Sequence, residues 1–225
     1  MVAAVEIQAA APPPTGLAKA PRRAAGRLRV ESILDATDRI IAAGGADGLG
    51  LPAVAAAAGT SASSLYHFFP TLDALLTALL RRYNALQDQW LARALTADAP
   101  YRRWADLLNA QMRAARGFYD HHPVYGELMR RAMASPVLRQ ADEAHVVEMG
   151  RTMAAVFEAC FHLPPVPDLE RRASLVVMMI DRLWAQLPLE DGRISSFCFE
   201  ESRRMAESYL ANYLPAYLAP KAVAA

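Results

Sequence analysis

Residues Gly59 to Phe69, reading GTSASSLYHFF, constrain this chain more than any other stretch. A helical pattern runs from Leu51 to Ala58 before the glycine and from Ala62 to Phe68 after it, with Thr60 and Ser61 placed to cap the second helix. Two short helices joined by a glycine-containing turn make a helix-turn-helix, whose second helix enters the major groove of DNA. On that helix Leu65, Phe68 and Phe69 fall at spacings that share one buried face, leaving Ala62, Ser63, Tyr66 and His67 outward. Gly59 is expected to take a positive φ in the turn.

Upstream, Val30, Ile33, Leu34, Thr37, Ile40 and Ile41 keep the three-four spacing of an amphipathic support helix that ends at Gly44 and Gly45. Downstream, Pro70 and Thr71 interrupt the pattern, and Leu72 to Arg93 resumes it as one helix of about 33 Å, long enough to join two domains.

The order from Val30 to Leu76 resembles the N-terminal domain of the TetR (tetracycline-repressor-like) family of transcriptional regulators. The matching residues are Ile33, Leu34, Ala36, Gly45, Val54, Ala55, Gly59, Ser61, Leu65, Tyr66, Phe69, Leu75 and Leu76, with Leu-Tyr-x-x-Phe at 65–69 after Val-Ala-x-x-Ala-Gly as the specific signal. There are departures. Leu72 stands where the family usually has a phosphate-binding lysine, Ala62 replaces a basic residue, and the outer face of the second helix is only Pro52, Ala53, Ala56 and Ala57. Phosphate neutralisation supplies most nonspecific affinity, so the basic run Arg22, Arg23, Arg27 and Arg29, just ahead of the first helix, is either an arm for an adjacent groove or a solvated tether. Ser63, Ser64 and His67 are the candidates for base edges, and Thr60, Ser61 and Tyr66 for phosphates.

Beyond the long helix, the breakers mark five more helices at Pro100 to Tyr119, Pro123 to Ala132, Pro136 to Phe161, Asp168 to Leu187 and Ile194 to Leu218, without sustained strand alternation. The fold class is therefore all-α, with a leader over 1–21, the helix-turn-helix domain over 22–71, a helical effector-binding and dimerisation domain over 72–218 and a tail over 219–225. The leader is rich in Ala and Pro but has neither an early basic cluster nor a long apolar centre, so it is expected to be disordered rather than a signal peptide. No apolar run approaches the roughly 18 residues that cross a membrane, and the expected location is the cytoplasm.

The 168–187 segment is apolar on more than one side. Val176, Val177, Ile180, Leu183 and Trp184 make one broad stripe, and the last helix adds Tyr209, Leu210 and Tyr213. A helix apolar nearly all round needs partners on both faces. The family resemblance implies a four-helix homodimer interface here, which would set two recognition helices about one DNA turn apart over a palindromic operator; the other reading is that these stripes close an internal core.

The remaining stripes carry apolar walls with polar interruptions, as a small-molecule pocket requires. Trp104, Leu108, Gln111, Met112 and Phe118 lie on one helix, Tyr125, Met129 and Met133 on the next, and His145, Met149, Thr152 and Met153 on the third, with Met178 and Met179 facing them. Methionine adapts its shape and is frequent at promiscuous apolar surfaces, although such stripes are also plain core. The resemblance favours a cavity for a small apolar or aromatic effector.

His121, His122 and His145 have no carboxylate or thiolate at a usual ligand spacing, so no metal is expected. Cys160 and Cys198 sit in apolar settings as free thiols. Paired carboxylates, an activated nucleophile and a cofactor motif are all missing, so neither an enzyme nor a cofactor is expected. The function read from the sequence is a ligand-responsive DNA-binding regulator, a repressor released by its effector. The alternative is a helical small-molecule-binding or scaffold dimer that has lost DNA affinity.

Overall fold

A computed structural model describes Ala18, residues 24–94, 101–187, Glu190 and residues 192–221. The described residues form nine α-helices: α1 (Ala24–Gly44), α2 (Leu51–Ala57), α3 (Ala62–Phe68), α4 (Leu72–Ala94), α5 (Trp104–His121), α6 (Pro123–Ala134), α7 (Pro136–Cys160), α8 (Leu169–Gln186) and α9 (Ser196–Leu210). None of them is long and apolar enough to cross a membrane. The expected leader at 1–21 lies almost wholly outside the described residues, as do Arg22 and Arg23.

α1 buries Ile33, Leu34, Ala36, Thr37 and Ile41, one stripe at helical spacing, and the buried Thr37 hydroxyl donates to the Ile33 carbonyl at 2.8 Å. The helix stops at Gly45, whose φ is +75°. It begins six residues earlier than the Val30 of the sequence pattern, so Arg27 and Arg29 lie on its first turns rather than on an arm ahead of it. Ala24, Ala25, Arg27 and Leu28 are strong helix formers, which explains the extension.

α2 opens with Pro52 in its first turn, and it ends in a Schellman turn. The Thr60 N–H donates to the Ala55 carbonyl at 3.0 Å and the Gly59 N–H to the Ala56 carbonyl at 3.2 Å. Gly59 has φ +61°, as its place in the turn requires. Ser61 then caps α3 by accepting from the Ser64 N–H at 3.2 Å. A seven-residue helix has little stability of its own; fully buried Leu65 and Phe69 fix it to the core, while Phe68 is only half-buried.

α4 carries one buried stripe of Ala74, Leu75, Leu76, Thr77, Leu79, Leu80, Tyr83, Asn84 and Gln87. It packs on α1, α5, α6 and α7. Two charged contacts hold the first unit against it: Arg82 meets Asp35 at 2.6 Å, and the Tyr83 hydroxyl donates to the Asp38 carboxylate. From α6, Arg131 donates to the Ala46 carbonyl at 2.7 Å.

Serine caps and prolines set the later boundaries. Ser135 accepts from the Leu138 N–H ahead of Pro136, and Ser195 accepts from the Cys198 N–H at the start of α9. α9 ends at Leu210, eight residues short of the expected Leu218. There Asn212 Nδ2 takes the Ser208 and Tyr209 carbonyls, and Pro215 cannot extend the ladder. The tail is also not free: Ala219 accepts from the His162 N–H at 2.9 Å, and the Lys221 N–H donates to Cys160 at 2.8 Å, clasping the end of α7.

The buried face of α7 is Leu138, Asp142, Val146, Gly150, Met153, Ala154 and Phe157. It is rotated by about one residue from the expected line of His145, Met149 and Thr152. Gly150 explains the close fit of α8 here: a Cβ on it would lie 2.1 Å from Ser174 Oγ and 2.6 Å from the Ser174 backbone nitrogen.

Gly150→Ala is therefore expected to destabilise the protein by roughly 1–3 kcal/mol, because backbone must move to admit the methyl group. Gly117→Ala, whose Cβ would meet only Trp90 at 3.6 Å, is expected to be neutral or to stabilise by up to about 1 kcal/mol. Urea unfolding of the two variants beside wild type checks both.

Candidate DNA-binding face and effector core

The recognition helix presents a hydroxyl-rich face. Ser61, Ala62, Ser63 and His67 are exposed, Tyr66 is 47 % exposed, and Thr60 and Ser64 are half-buried at the edge. Arg29 reaches across from α1 to Ser64 Oγ at 3.5 Å, and Ser61 Oγ lies 3.1 Å from Ser63 Oγ. Between α1 and the turn lies an open cleft of about 440 Å³, lined by Ala25, Leu28, Arg29 and Ser32 on one side and Ala58 to Ser61 with Ser64 on the other. Arg29 thus lies beside α3, and Arg27 is exposed on the same helix. Leu72 packs half-buried against the core and offers no charge to a phosphate. The exposed side of α2 is Pro52, Ala53, Ala56 and Ala57.

The interior of α4 to α8 is aromatic with a polar seam. Tyr119 stacks edge-on to Tyr125 at 4.9 Å and to Trp184 at 5.4 Å, while Phe118 meets Tyr125 at 5.2 Å and His122 at 4.4 Å. Tyr83 joins this group at 6.0 Å from Tyr125, so the residue that holds Asp38 of α1 also touches the core. The Tyr125 hydroxyl donates to Gln87 Oε1 at 3.1 Å, and His145 Nε2 lies 3.2 Å from the same oxygen. Burial pushes the Tyr119 and Tyr125 hydroxyls well up and the His145 imidazole down.

Two carboxylates lie in the same interior. Asp181 is 6 % exposed and accepts from the Tyr119 hydroxyl at 3.3 Å; burial first, and Asp142 second, push it up to about 8. Asp142 is 1 % exposed and is pushed up to about 6 by burial against the pull of Arg182, whose Nη2 stands 3.5 Å away. Neither oxygen of Asp142 has a hydrogen-bond donor among the described residues.

Of the expected pocket residues, Phe118, Tyr125 and Met129 of α5 and α6 are fully buried in this core, with Met133 of α6, His145 of α7 and Met178 of α8 partly buried. Met112 and Met153 are buried, Leu108 is core, and Met149, Met179 and Gln111 are half-buried, the last with its Oε1 unpaired. Two expectations fail. Thr152 is exposed because the α7 face is rotated. Trp104 lies at the far end of α5, about 21 Å along the axis from Phe118, where its indole donates to the Pro215 carbonyl at 2.9 Å. The sequence reading missed Tyr83, Gln87, Trp90, Tyr119, Asp142, Asp181 and Arg182. Asp142 and Asp181 carry no apolar signal, yet each occupies a core position at helical spacing.

The interface residues also divide. Val176, Ile180, Trp184 and Leu210 are buried within the protomer itself, where Trp184 donates to Ser202 Oγ at 3.1 Å and stacks on Phe199. Val177, Leu183, Tyr209 and Tyr213 are half-buried, and Arg172 covers the Tyr213 ring at 3.8 Å. What α8 and α9 leave in solvent is Leu175 at 48 %, Phe197 at 73 % and Met205 at 44 %. Cys160 and Cys198 are free thiols, pushed up by burial.

Comparison with known proteins gives the following. Residues 33–79 match the family described as bacterial regulatory proteins, tetR family, and residues 104–210 match the tetracyclin repressor-like C-terminal domain. The HTH-type transcriptional regulator BetI of Burkholderia thailandensis is 28 % identical over 214 residues, covering 90 % of this chain and 100 % of that protein. The HTH-type transcriptional repressor KstR of Mycolicibacterium smegmatis is 31 % identical over 134 residues, 59 % of this chain and 63 % of that one. Among solved structures, the multidrug binding protein EbrR complexed with ethidium superposes with a TM-score of 0.59 at 25 % identity, over 80 % of this chain and 98 % of that one. A TetR-family regulator from Streptomyces coelicolor gives a TM-score of 0.63 at 20 % identity, over 83 % and 99 %.

A pH effect follows from the buried acids. Asp181 holds its proton more tightly when folded than when unfolded, so its contribution to stability is full below about pH 4 and is lost as pH rises through about 8. Asp181→Asn cannot ionise. Its melting temperature relative to wild type is expected to climb steadily from pH 4.5 to pH 8; a difference constant across that range would contradict the assignment.

Proposed function

Because the chain belongs to the TetR family of bacterial regulatory proteins, we propose that this ligand-responsive DNA-binding regulator is a homodimeric repressor. It acts in the cytoplasm and leaves a palindromic operator when a small aromatic effector enters the core of α4 to α8. The observation that carries this reading is Tyr83, which bonds Asp38 of the DNA-binding unit and lies among the rings of the core. An effector that repacks Tyr125 and His122 acts on Tyr83, and through it on the angle of α1 and α3. The effector must bind the DNA-free arrangement more tightly, because equal affinity for both states shifts nothing. The EbrR complex with ethidium supports an aromatic ligand for this architecture.

The surface left open by α8 and α9 at Leu175, Phe197 and Met205 supports a second copy as the partner. Two recognition helices would then present Ser63, Ser64 and His67 to base edges in successive major grooves, with Arg27, Arg29, Thr60, Ser61 and Tyr66 along the phosphates. The low charge of α2 and of Leu72 throws most phosphate neutralisation onto the α1 arginines, so the salt slope is expected to reflect few contacts per subunit.

The test is fluorescence anisotropy on DNA flanking the protein's own gene, across a salt series with nonspecific competitor. Saturable, competitor-resistant, salt-dependent binding is expected. On a panel of mutated sites His67→Ala should change the order of preference, while Tyr66→Phe should weaken every sequence by a similar factor; equal losses for both would overturn the division of roles. Binding to no specific sequence would instead support a ligand-binding dimer without DNA affinity.

A further inference from the structure

We infer that the effector of this domain carries a positive charge, seated against the Asp142 carboxylate and the rings of Tyr119 and Tyr125. The inference rests on reading α4 to α8 as an effector core and goes beyond it by naming the charge of the ligand.

Buried carboxylates are costly unless each is paired and hydrogen-bonded. Two acids lie here, on α7 and α8; Asp181, pushed up to about 8, keeps its proton at pH 7 and accepts from Tyr119, so Asp142 is the charge to be met, and the described residues around it offer one strong cation. α4 contributes Asn84, Gln87 and Asp88, α5 contributes Tyr119, α6 contributes Tyr125 and Met133, and α7 contributes His145. The imidazole of His145 is held toward its neutral form by burial. That leaves Arg182 for Asp142, and it is poorly used. Its Nη1 donates to the thioether of Met133 at 3.2 Å, a weak acceptor, while its Nη2 stays 3.5 Å from Asp142 without forming a hydrogen bond.

Asp142 is thus 1 % exposed with both oxygens lacking a donor. A second open acceptor lies across from it. Ser135 beside Asp73 and His145 beside Gln87 show that α7 and α4 run in the same direction. On that register Asn84, whose Oδ1 is buried and unpaired, sits one turn before Gln87, as Asp142 sits one turn before His145. The unmet groups at this level of α4 and α7, Asn84 Oδ1 and the two Asp142 oxygens, are acceptors, which ask for a cation or a donor. The adjoining rings offer their faces to the same charge. Met129, Met133 and Met178, on the surrounding helices, can change shape to make room.

Calorimetry at pH 7 on the purified full chain, using 4-(trimethylammonio)phenol and its neutral isostere 4-tert-butylphenol, tests this. The cation is expected to bind at least about tenfold more tightly. Asp142→Asn should lower the affinity for the cation and leave that for the neutral probe unchanged, which also shows that the variant is folded, with Glu148→Gln on the exposed face of α7 as the charge control. Asp181→Asn replaces a group already neutral at pH 7 and keeps its shape, so it should retain the preference for the cation. Equal affinity for the two probes, or a preference that survives Asp142→Asn, would overturn the inference while leaving the pocket standing. Binding of neither probe would overturn the inference and the effector-core reading together.

Discussion

The buried stripe of α4 is the constraint on which the rest of the molecule depends. From Ala74 to Gln87 it runs about 20 Å without interruption. It packs on α1 as well as on α5, α6 and α7. A helix shared in this way cannot tilt for one unit without tilting for the other. The ties at Arg82–Asp35, Tyr83–Asp38 and Arg131–Ala46 add direction to that sharing, since each joins the DNA-binding unit to α4 or α6 at a fixed point. Regulation in such a molecule needs no separate hinge.

The core that α4 helps to enclose is not uniformly apolar. Its aromatic rings surround a seam in which Gln87, His145, Asp142, Asp181 and Arg182 meet on three helices. Burial raises both carboxyls; Asp181 accepts from Tyr119, whereas neither oxygen of Asp142 has a donor among the described residues. Polar groups left in this state reduce stability, which is the usual mark of a site built for something other than stability.

Most of the helix ends were legible because their causes are local. Ser61, Ser135 and Ser195 accept the hydrogen bonds that a capping serine should, Pro123 and Pro136 open their helices, and Gly59 takes the backbone angle its turn requires. The errors arose where long-range packing decides. α7 turns Asp142 and Gly150 inward, and neither residue weighs in an apolar pattern, so its face was misread by about one position. Val176, Ile180 and Trp184 form the same apolar stripe whether they face a partner or their own core, and spacing alone does not distinguish the two. On the DNA side the outward residues of α3 followed from Leu65 and Phe69, whereas the contact of Arg29 with Ser64, 35 positions apart, needed the fold.

Cooperation through α4 can be tested directly. All three tryptophans, Trp90, Trp104 and Trp184, lie outside the α1 to α3 unit, so their fluorescence reports on the effector core while far-UV circular dichroism reports on every helix. In urea the account predicts one transition with the same midpoint by both probes. An early loss of helicity with the tryptophan signal still native would mean that the DNA-binding unit melts independently, and would contradict the claim that α4 makes the two units one.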